Sequence, residues 1–264
     1  MSRLAASVSF LFRELPVTAR FAAARAAGFD GVEVQRLLEL DDVAAAAAAA
    51  RAAGVAVVLV NVPSGDFVEG GDGLSGVPGR EAAFEQALER ALAAAQALGA
   101  RYVHLGPSRV PAGVAREACL GTYHANVRTA LGVSRAAGVT LLVEAMNPVE
   151  HPTALFPTVD AAAACVRAVA HARFGLQFDV YHAAMAGDDP VAAFARHRAL
   201  VRHVQFADAP GRHEPGTGAL DLPGILGALR GQGYAGWIGA EYAPAAPTAA
   251  TLGWMPAAAA RSAA

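Results

Sequence analysis

Glu144, Asp179, Gln205 and Glu241 are the residues whose types and placement could do chemistry. Glu144 follows Val139-Thr140-Leu141-Leu142-Val143, a short, apolar, β-branched run that suits a strand buried on both faces. Ala145-Met146-Asn147-Pro148 then breaks into a loop. A carboxylate at the end of a buried strand is costly unless a metal, a partner or a proton compensates it. The pattern recurs at Gln177-Phe178-Asp179-Val180-Tyr181-His182, at His203 and Gln205 ahead of Asp208, and at Gly239-Ala240-Glu241-Tyr242. Glu33 and His104 occupy similar places on two earlier stretches. Three carboxylates brought to one mouth would repel one another, and a divalent cation is the simplest compensation. Four oxygen ligands favour Mg²⁺ or Mn²⁺ over a softer metal. The competing arrangement gives each acid its own arginine.

His182, three residues past Asp179, is placed to hydrogen-bond a substrate oxygen. Arg212, within Ala209-Pro210-Gly211-Arg212-His213-Glu214-Pro215-Gly216-Thr217-Gly218, could clamp a carboxylate in a bidentate way. His104 reads as a barrel-lining side chain that its neighbours could satisfy. His124, His171 and His197 fall on helical stretches and are expected to be exposed, and Cys119 and Cys165 to be packing residues.

Bringing those four residues together requires parallel strands that share one open end. Strands are predicted at Ala6–Phe10, Gly31–Gln35, Val55–Asn61, Arg101–Leu105, Val139–Val143, Phe174–Val180, Arg202–Ala207 and Gly236–Glu241. Helices are predicted at Pro16–Ala27, Asp41–Ala53, Arg80–Leu98, Ala112–Ala137, Thr158–Ala170, Pro190–Leu200 and Leu222–Gly231. Regular alternation of this kind predicts an α/β fold, a (β/α)8 TIM barrel formed as a single domain over residues 1–264, with chemistry at the C-terminal strand ends. A doubly wound sheet fits less well, because no Gly-x-Gly-x-x-Gly follows the first strand. Pro63 to Gly79 is the one long irregular segment, the kind that serves as a lid or a site wall.

Composition excludes several classes. The chain has 264 residues, 55% of them apolar and only 17% charged, which favours a large core over disorder. A net charge of -2 offers no footprint for nucleic acid. All 21 basic residues are arginines, so a lysine Schiff base and a Walker-type phosphate loop are both excluded. The N-terminal stretch lacks the apolar core and cleavage site of a signal peptide. The Ala-rich stretch from Val43 to Val62 is broken by Arg51 and Gly54, so no membrane span is expected. Two cysteines without metal spacing suit a reducing, cytoplasmic setting. Homo-oligomer formation stays open.

With these residues in place, the chain resembles hydroxypyruvate isomerases within the xylose-isomerase-like barrels. The likeness runs end to end, through Asn61-Val62-Pro63-Ser64-Gly65-Asp66-Phe67, Val77-Pro78-Gly79-Arg80-Glu81, Val143-Glu144-Ala145-Met146-Asn147 and Phe178-Asp179-Val180-Tyr181-His182. It continues through Gln205-Phe206-Ala207-Asp208, Glu214-Pro215-Gly216-Thr217-Gly218 and Trp237-Ile238-Gly239-Ala240-Glu241-Tyr242. The resemblance implies interconversion of hydroxypyruvate and 2-hydroxy-3-oxopropanoate, with Glu144 and Glu241 as the proton donor/acceptor pair. Glu144, Asp179, Gln205 and Glu241 match the family's metal positions, and Mg²⁺ or Mn²⁺ is the expected cofactor. Substrate contacts are expected from His182, Arg212, Glu150, His104 and Asn61. Gln205 tilts the reading away from ketose 3-epimerases, which usually carry His there. Ala219, Val60 and the run His104-Leu105-Gly106-Pro107-Ser108-Arg109 depart from the family's usual residues. These departures are expected at the mouth, where they bear on the substrate, and relatives acting on the longer 2-oxo-tetronates are the nearest alternative.

Rival readings fare worse. A metal-dependent nuclease on this barrel would want a His-rich centre and a basic surface. A binding protein that lost its chemistry has no need of both Glu144 and Glu241. A sugar-phosphate isomerase would want a Gly-rich phosphate cup after strands seven and eight.

Overall fold

The computed structural model describes residues 3–36 and 42–255. Its strands are β1 (Leu4–Ser7), β2 (Gly31–Val34), β3 (Ala56–Asn61), β4 (Tyr102–His104), β5 (Thr140–Glu144), β6 (Phe174–Asp179), β7 (Val201–Phe206) and β8 (Ile238–Ala240). Each pairs in parallel with the next, and β8 pairs with β1, so the sheet closes in chain order. The helices are α1 (Val17–Ala26), α2 (Val43–Ala53), α3 (Glu81–Leu98), α4 (Arg116–Val133), α5 (Val159–Val169), α6 (Val180–Met185), α7 (Pro190–His197) and α8 (Leu222–Gly231). The predicted TIM barrel is the fold found.

Successive side chains on a strand point to opposite faces, and that period sorts this barrel. Val60, Val103, Val143, Phe178 and Val204 point outward into the core beneath the helices. Complete burial of side chains of this size stabilises by roughly 1.5–3 kcal/mol each. Their chain neighbours Asn61, His104, Glu144, Asp179 and Gln205 therefore point inward. Two residues earlier, Leu59, Tyr102 and Leu142 join Ala5 and Trp237 in a separate apolar cluster that fills the barrel below them. The register sets Glu144 opposite Gln177, Asp179 opposite Gln205, and Gln205 opposite Gly239. Alanine faces such as Ala46, Ala47 and Ala50 on α2 are buried, and short side chains there let the helix lie close to its neighbours. The Asp42 side chain caps α2 by accepting from the N–H groups of Ala44 and Ala45, and Gly54 closes it in the left-handed region.

Several expectations need correcting. β1 ends at Ser7, three residues short of the predicted end, because residues 8–15 turn over the barrel mouth. β6 is followed by two helices, since α6 starts directly at the strand end. β8 is followed, among the described residues, by a single 3-10 turn at Thr248–Thr251. Asp41, the predicted start of the second helix, lies outside the described residues. His197 is 6% exposed, not solvent-facing, because α7 packs beside α5 and its Nε2 meets the Asp160 carboxylate. His124 is half-buried; His171 is exposed but lies just past α5. Both cysteines are buried and free. No helix among the described residues is long and apolar enough to cross a membrane.

Candidate active site

Asp179 both ends β6 and starts α6. Its Oδ1 accepts the Tyr181 N–H at 2.7 Å, capping the helix, while Oδ2 is buried without a partner. One oxygen thus fixes the chain and leaves the other for the site. Glu144 Oε1 and Glu241 Oε2 are likewise buried and unpartnered. Such groups are costly to bury unless something meets them. Glu144, Asp179 and His182 each offer one ligand atom, all within 4.8 Å of one another. Gln205 lies just behind. Its Oε1 accepts from Gln177 Nε2 at 2.5 Å and its Nε2 donates to Glu33 Oε2 at 2.7 Å.

Arg212 supplies the positive charge. Its Nη2 donates to Glu241 Oε1 at 3.0 Å and stands 4.0 Å from Asp179 Oδ2, with its guanidinium over the rings of Phe10 and Tyr181. Nε is buried and unpartnered. The residue has a φ of 57°, in the left-handed region that non-glycine residues rarely adopt. Asp208 holds the loop in that shape. Its backbone carbonyl accepts the Arg212 N–H, and its carboxylate accepts from the N–H groups of Ala209, Gly216 and Leu220. One arginine therefore serves two of the acids, and Glu144 has no arginine hydrogen-bonded to it among the described residues.

Burial dominates the titration of the site. It pushes the Glu144 carboxyl well above its ordinary range, with Glu241 and Asp179 adding repulsion that Arg212 only partly offsets. Glu241 is pushed up to about 8 by burial, against the pull of Arg212, and Asp179 to about 6 in the same way. Burial lowers His104 to about 4 and holds His182 well below the usual imidazole range, so both rings are neutral.

The tautomer of His182 follows from its neighbours. Nδ1 accepts from the Asn147 backbone N–H at 3.2 Å and from Asn147 Nδ2 at 2.8 Å, so the proton of the neutral ring sits on Nε2. That nitrogen is buried without a partner, a donor suited to an oxygen atom and unsuited to a cation. Asn147 is held in turn by Glu150, whose Oε2 accepts from its Nδ2 at 2.9 Å and whose Oε1 accepts from the Tyr181 hydroxyl at 2.6 Å. Glu150 thus stands behind His182 and outside the cavity lining.

The cavity measures about 380 Å³ and is lined at its base by Glu144, Glu241, His104, His182, Arg212 and Asn61. His104 Nδ1 and Asn61 Oδ1 have no partners, so His104 is not satisfied by its neighbours. The Pro63 to Gly79 segment forms a wall through Ser64, Phe67 and Glu69. It is pinned at two points. Asp66 accepts from Gly73 N and Arg80 Nη1, and Arg109 stacks 3.9 Å over Phe67 while donating to the carbonyls of Phe67 and Gly71. Val60 and Ala219, expected at the mouth, are elsewhere. Val60 alternates outward into the core, and Ala219 is exposed on the Arg212 loop; of the three departures only the run after β4 reaches the cavity, through His104 and Pro107.

Residues 21–258 match the xylose isomerase-like TIM barrel family. The 2-oxo-tetronate isomerase of Cupriavidus necator is 38% identical over 97% of this chain and 98% of its own length. The chain belongs to the xylose isomerase-like TIM barrel family. The hydroxypyruvate isomerase of Escherichia coli is 30% identical over 97% of this chain and 98% of its own. Among solved structures, a Brucella melitensis protein described as an AP endonuclease of family 2 superposes with a TM-score of 0.90 at 34% identity, covering 96% of this chain and 98% of that one. Likeness to the curated relatives makes the chain an isomerase of this family.

Sequence reasoning named Glu144, Asp179, Glu241, His182, Arg212, His104 and Asn61, and the fold brings all seven to one mouth. It assigned no role to Asn147, Tyr181, Gln177 or Phe10. Asn147, three residues past Glu144 and three before Glu150, carried a weak signal, since an Asx turn at a strand end is where a side chain can orient a neighbour.

Proposed function

We propose that this isomerase interconverts hydroxypyruvate and 2-hydroxy-3-oxopropanoate by moving a proton between adjacent carbons. The observation that carries the reading is the convergence of three buried, unpartnered carboxylate oxygens, from Glu144, Asp179 and Glu241, around Arg212 at a cavity that Glu144 and Glu241 line. Glu144 and Glu241 stand three strands apart around the ring and so face each other across the mouth. One removes the proton from the hydroxyl-bearing carbon, and the other returns a proton to its neighbour through an enediolate. A carboxyl with a pKa near 8, as at Glu241, can both hold and release a proton near neutral pH. The His182 Nε2–H donates to the oxygen that gains charge. Arg212 uses its unpartnered Nε edge to bind the substrate carboxylate.

The donor set of Glu144, Asp179, Gln205 and Glu241 fits a hard divalent cation, Mg²⁺ or Mn²⁺, because every donor is an oxygen and, among the described residues, the three carboxylates share a single paired arginine, Arg212. Such a cation would draw electrons from the substrate carbonyl and offset the enediolate charge. A nuclease reading, suggested by the description of the Brucella protein, finds no support in a net charge of -2. A 2-oxo-tetronate is a second candidate substrate, because the 38% identical Cupriavidus necator relative is a 2-oxo-tetronate isomerase.

The test is deuterium exchange by NMR. Hydroxypyruvate and a 2-oxo-tetronate are incubated with enzyme in D₂O, after EDTA treatment and after Mn²⁺ addition. Exchange at the carbon beside the carbonyl, restored by the metal, is expected, and the faster acid identifies the chain length. No exchange with either acid would overturn the reading in favour of neutral ketoses.

A further inference from the structure

Beneath the site runs a line of buried side chains that the proton transfer does not use. His203 Nε2 donates to Glu33 Oε1 at 2.6 Å, and Gln205 Nε2 donates to Glu33 Oε2 at 2.7 Å. Gln177 Nε2 donates to Gln205 Oε1 at 2.5 Å, and Gln177 sits opposite Glu144 in the strand register. Glu33, His203 and Gln205 are 0% exposed and Gln177 is 1% exposed. Space for Glu33 comes from β8. A Cβ built on Gly239, which faces Gln205 in register, would lie 1.9 Å from Glu33 Oε1.

The two ends of a primary amide have nearly the same size, so packing alone does not choose which end faces which way. A carboxylate chooses, because it only accepts. Facing Glu33, the Gln205 amide must turn its NH₂ downward and its carbonyl oxygen upward. That oxygen then requires the NH₂ of Gln177, the residue paired with Glu144 across β5 and β6. The orientation costs Gln177 something, for its own Oε1 is left buried without a partner. Gln177 on its own would have no reason to adopt it.

We propose that Glu33, held on its far oxygen by His203, is a positioning residue that sets the direction of both amides. It turns the Gln205 carbonyl oxygen toward the cation site and the Gln177 NH₂ toward that oxygen. The consequence for metal binding rests on the metal reading above; the amide orientation does not.

The experiment compares the wild-type protein with Glu33→Gln, which keeps the shape but can present either end, and with Glu33→Asp, which keeps an acceptor. Side-chain ¹⁵N–H₂ signals of Gln205 and Gln177 are followed by NMR with hydrogen exchange, and Mn²⁺ affinity by calorimetry. In Glu33→Gln both amide signals are expected to shift and lose protection, and Mn²⁺ affinity to fall about tenfold; Glu33→Asp retains both. Unchanged amide signals in folded Glu33→Gln overturn the proposal whatever the metal does. If Glu33→Gln does not fold, His203→Asn, which loosens the same carboxylate, should move the same signals, and unmoved signals there overturn it. Wild-type protein that takes up no Mn²⁺ defeats the metal reading, while the amide signals still decide the role of Glu33.

Discussion

Replacing Glu241 by Gln should abolish turnover and also change how stability depends on pH. The Glu241 carboxyl rises from 4.5 to about 8 in the folded protein, chiefly through burial, with Arg212 opposing. Between those values the unfolded chain has released a proton that the native state keeps. The unfolded state then binds fewer protons, so stability falls as pH rises. The contribution is fully present below the unfolded value and gone above about 8. At about 1.4 kcal/mol per pKa unit, this shift is worth on the order of 5 kcal/mol. For a chain of this length that corresponds to roughly 10 °C or more in melting temperature. Calorimetric melts in EDTA from about pH 5 to pH 9 read it directly. His104 and His182, held below their ordinary value, add stability as pH rises to about 6.5 and offset part of the loss there, so the wild-type protein should lose melting temperature most clearly above that pH. Glu241→Gln, which cannot ionise, should lose distinctly less, its residual slope coming from Glu144 and Asp179, whose shifts have the same sign. Saturating Mn²⁺ should flatten the wild-type slope, because a cation binds the ionised carboxylates. Parallel slopes in the two proteins, which share the histidine contribution, would refute the electrostatic account. Wild-type-like turnover in Glu241→Gln would remove its acid/base role.

Two further substitutions probe the groups around the carboxylates. Arg212→Leu removes a charge-assisted bond to Glu241 and the carboxylate clamp, and should weaken kcat/KM for hydroxy-oxo acids by about 2–4 kcal/mol while changing neutral ketoses far less; equal losses on both would rule out the clamp. Asn147→Ala removes the side-chain donor to His182 Nδ1 and leaves only the backbone N–H. The expected result is about a tenfold fall in kcat together with altered imidazole ¹⁵N shifts, and unaltered shifts would show that Asn147 does not set the tautomer.

The barrel was legible in the sequence because burial imposes a period. A strand covered on both faces must be apolar outward, so the acid that breaks such a run at Glu144 or Asp179 marks both the strand end and the inward face. Eight such runs with helices between them leave little choice but closure. The same logic pointed to His104, Glu144, Asp179 and Glu241 at strand ends and His182 just past one, while Arg212 came from its loop and Asn61 from the family resemblance. It was weakest where a local run has several partners available, as at His197, which reads as exposed on its own helix and is buried only because Asp160 comes beside it from α5.

Sequence alone determined the residue types, and with them an oxygen-rich donor set, an arginine and no lysine. Only the tertiary structure decided what each polar atom does, because hydrogen-bond direction depends on neighbours far apart in the chain. Asn147 makes His182 a donor across 35 positions. Glu33 turns the Gln205 amide across 172. Asp179 spends one oxygen on its own helix and keeps the other for the site, a division that no composition or spacing could have revealed.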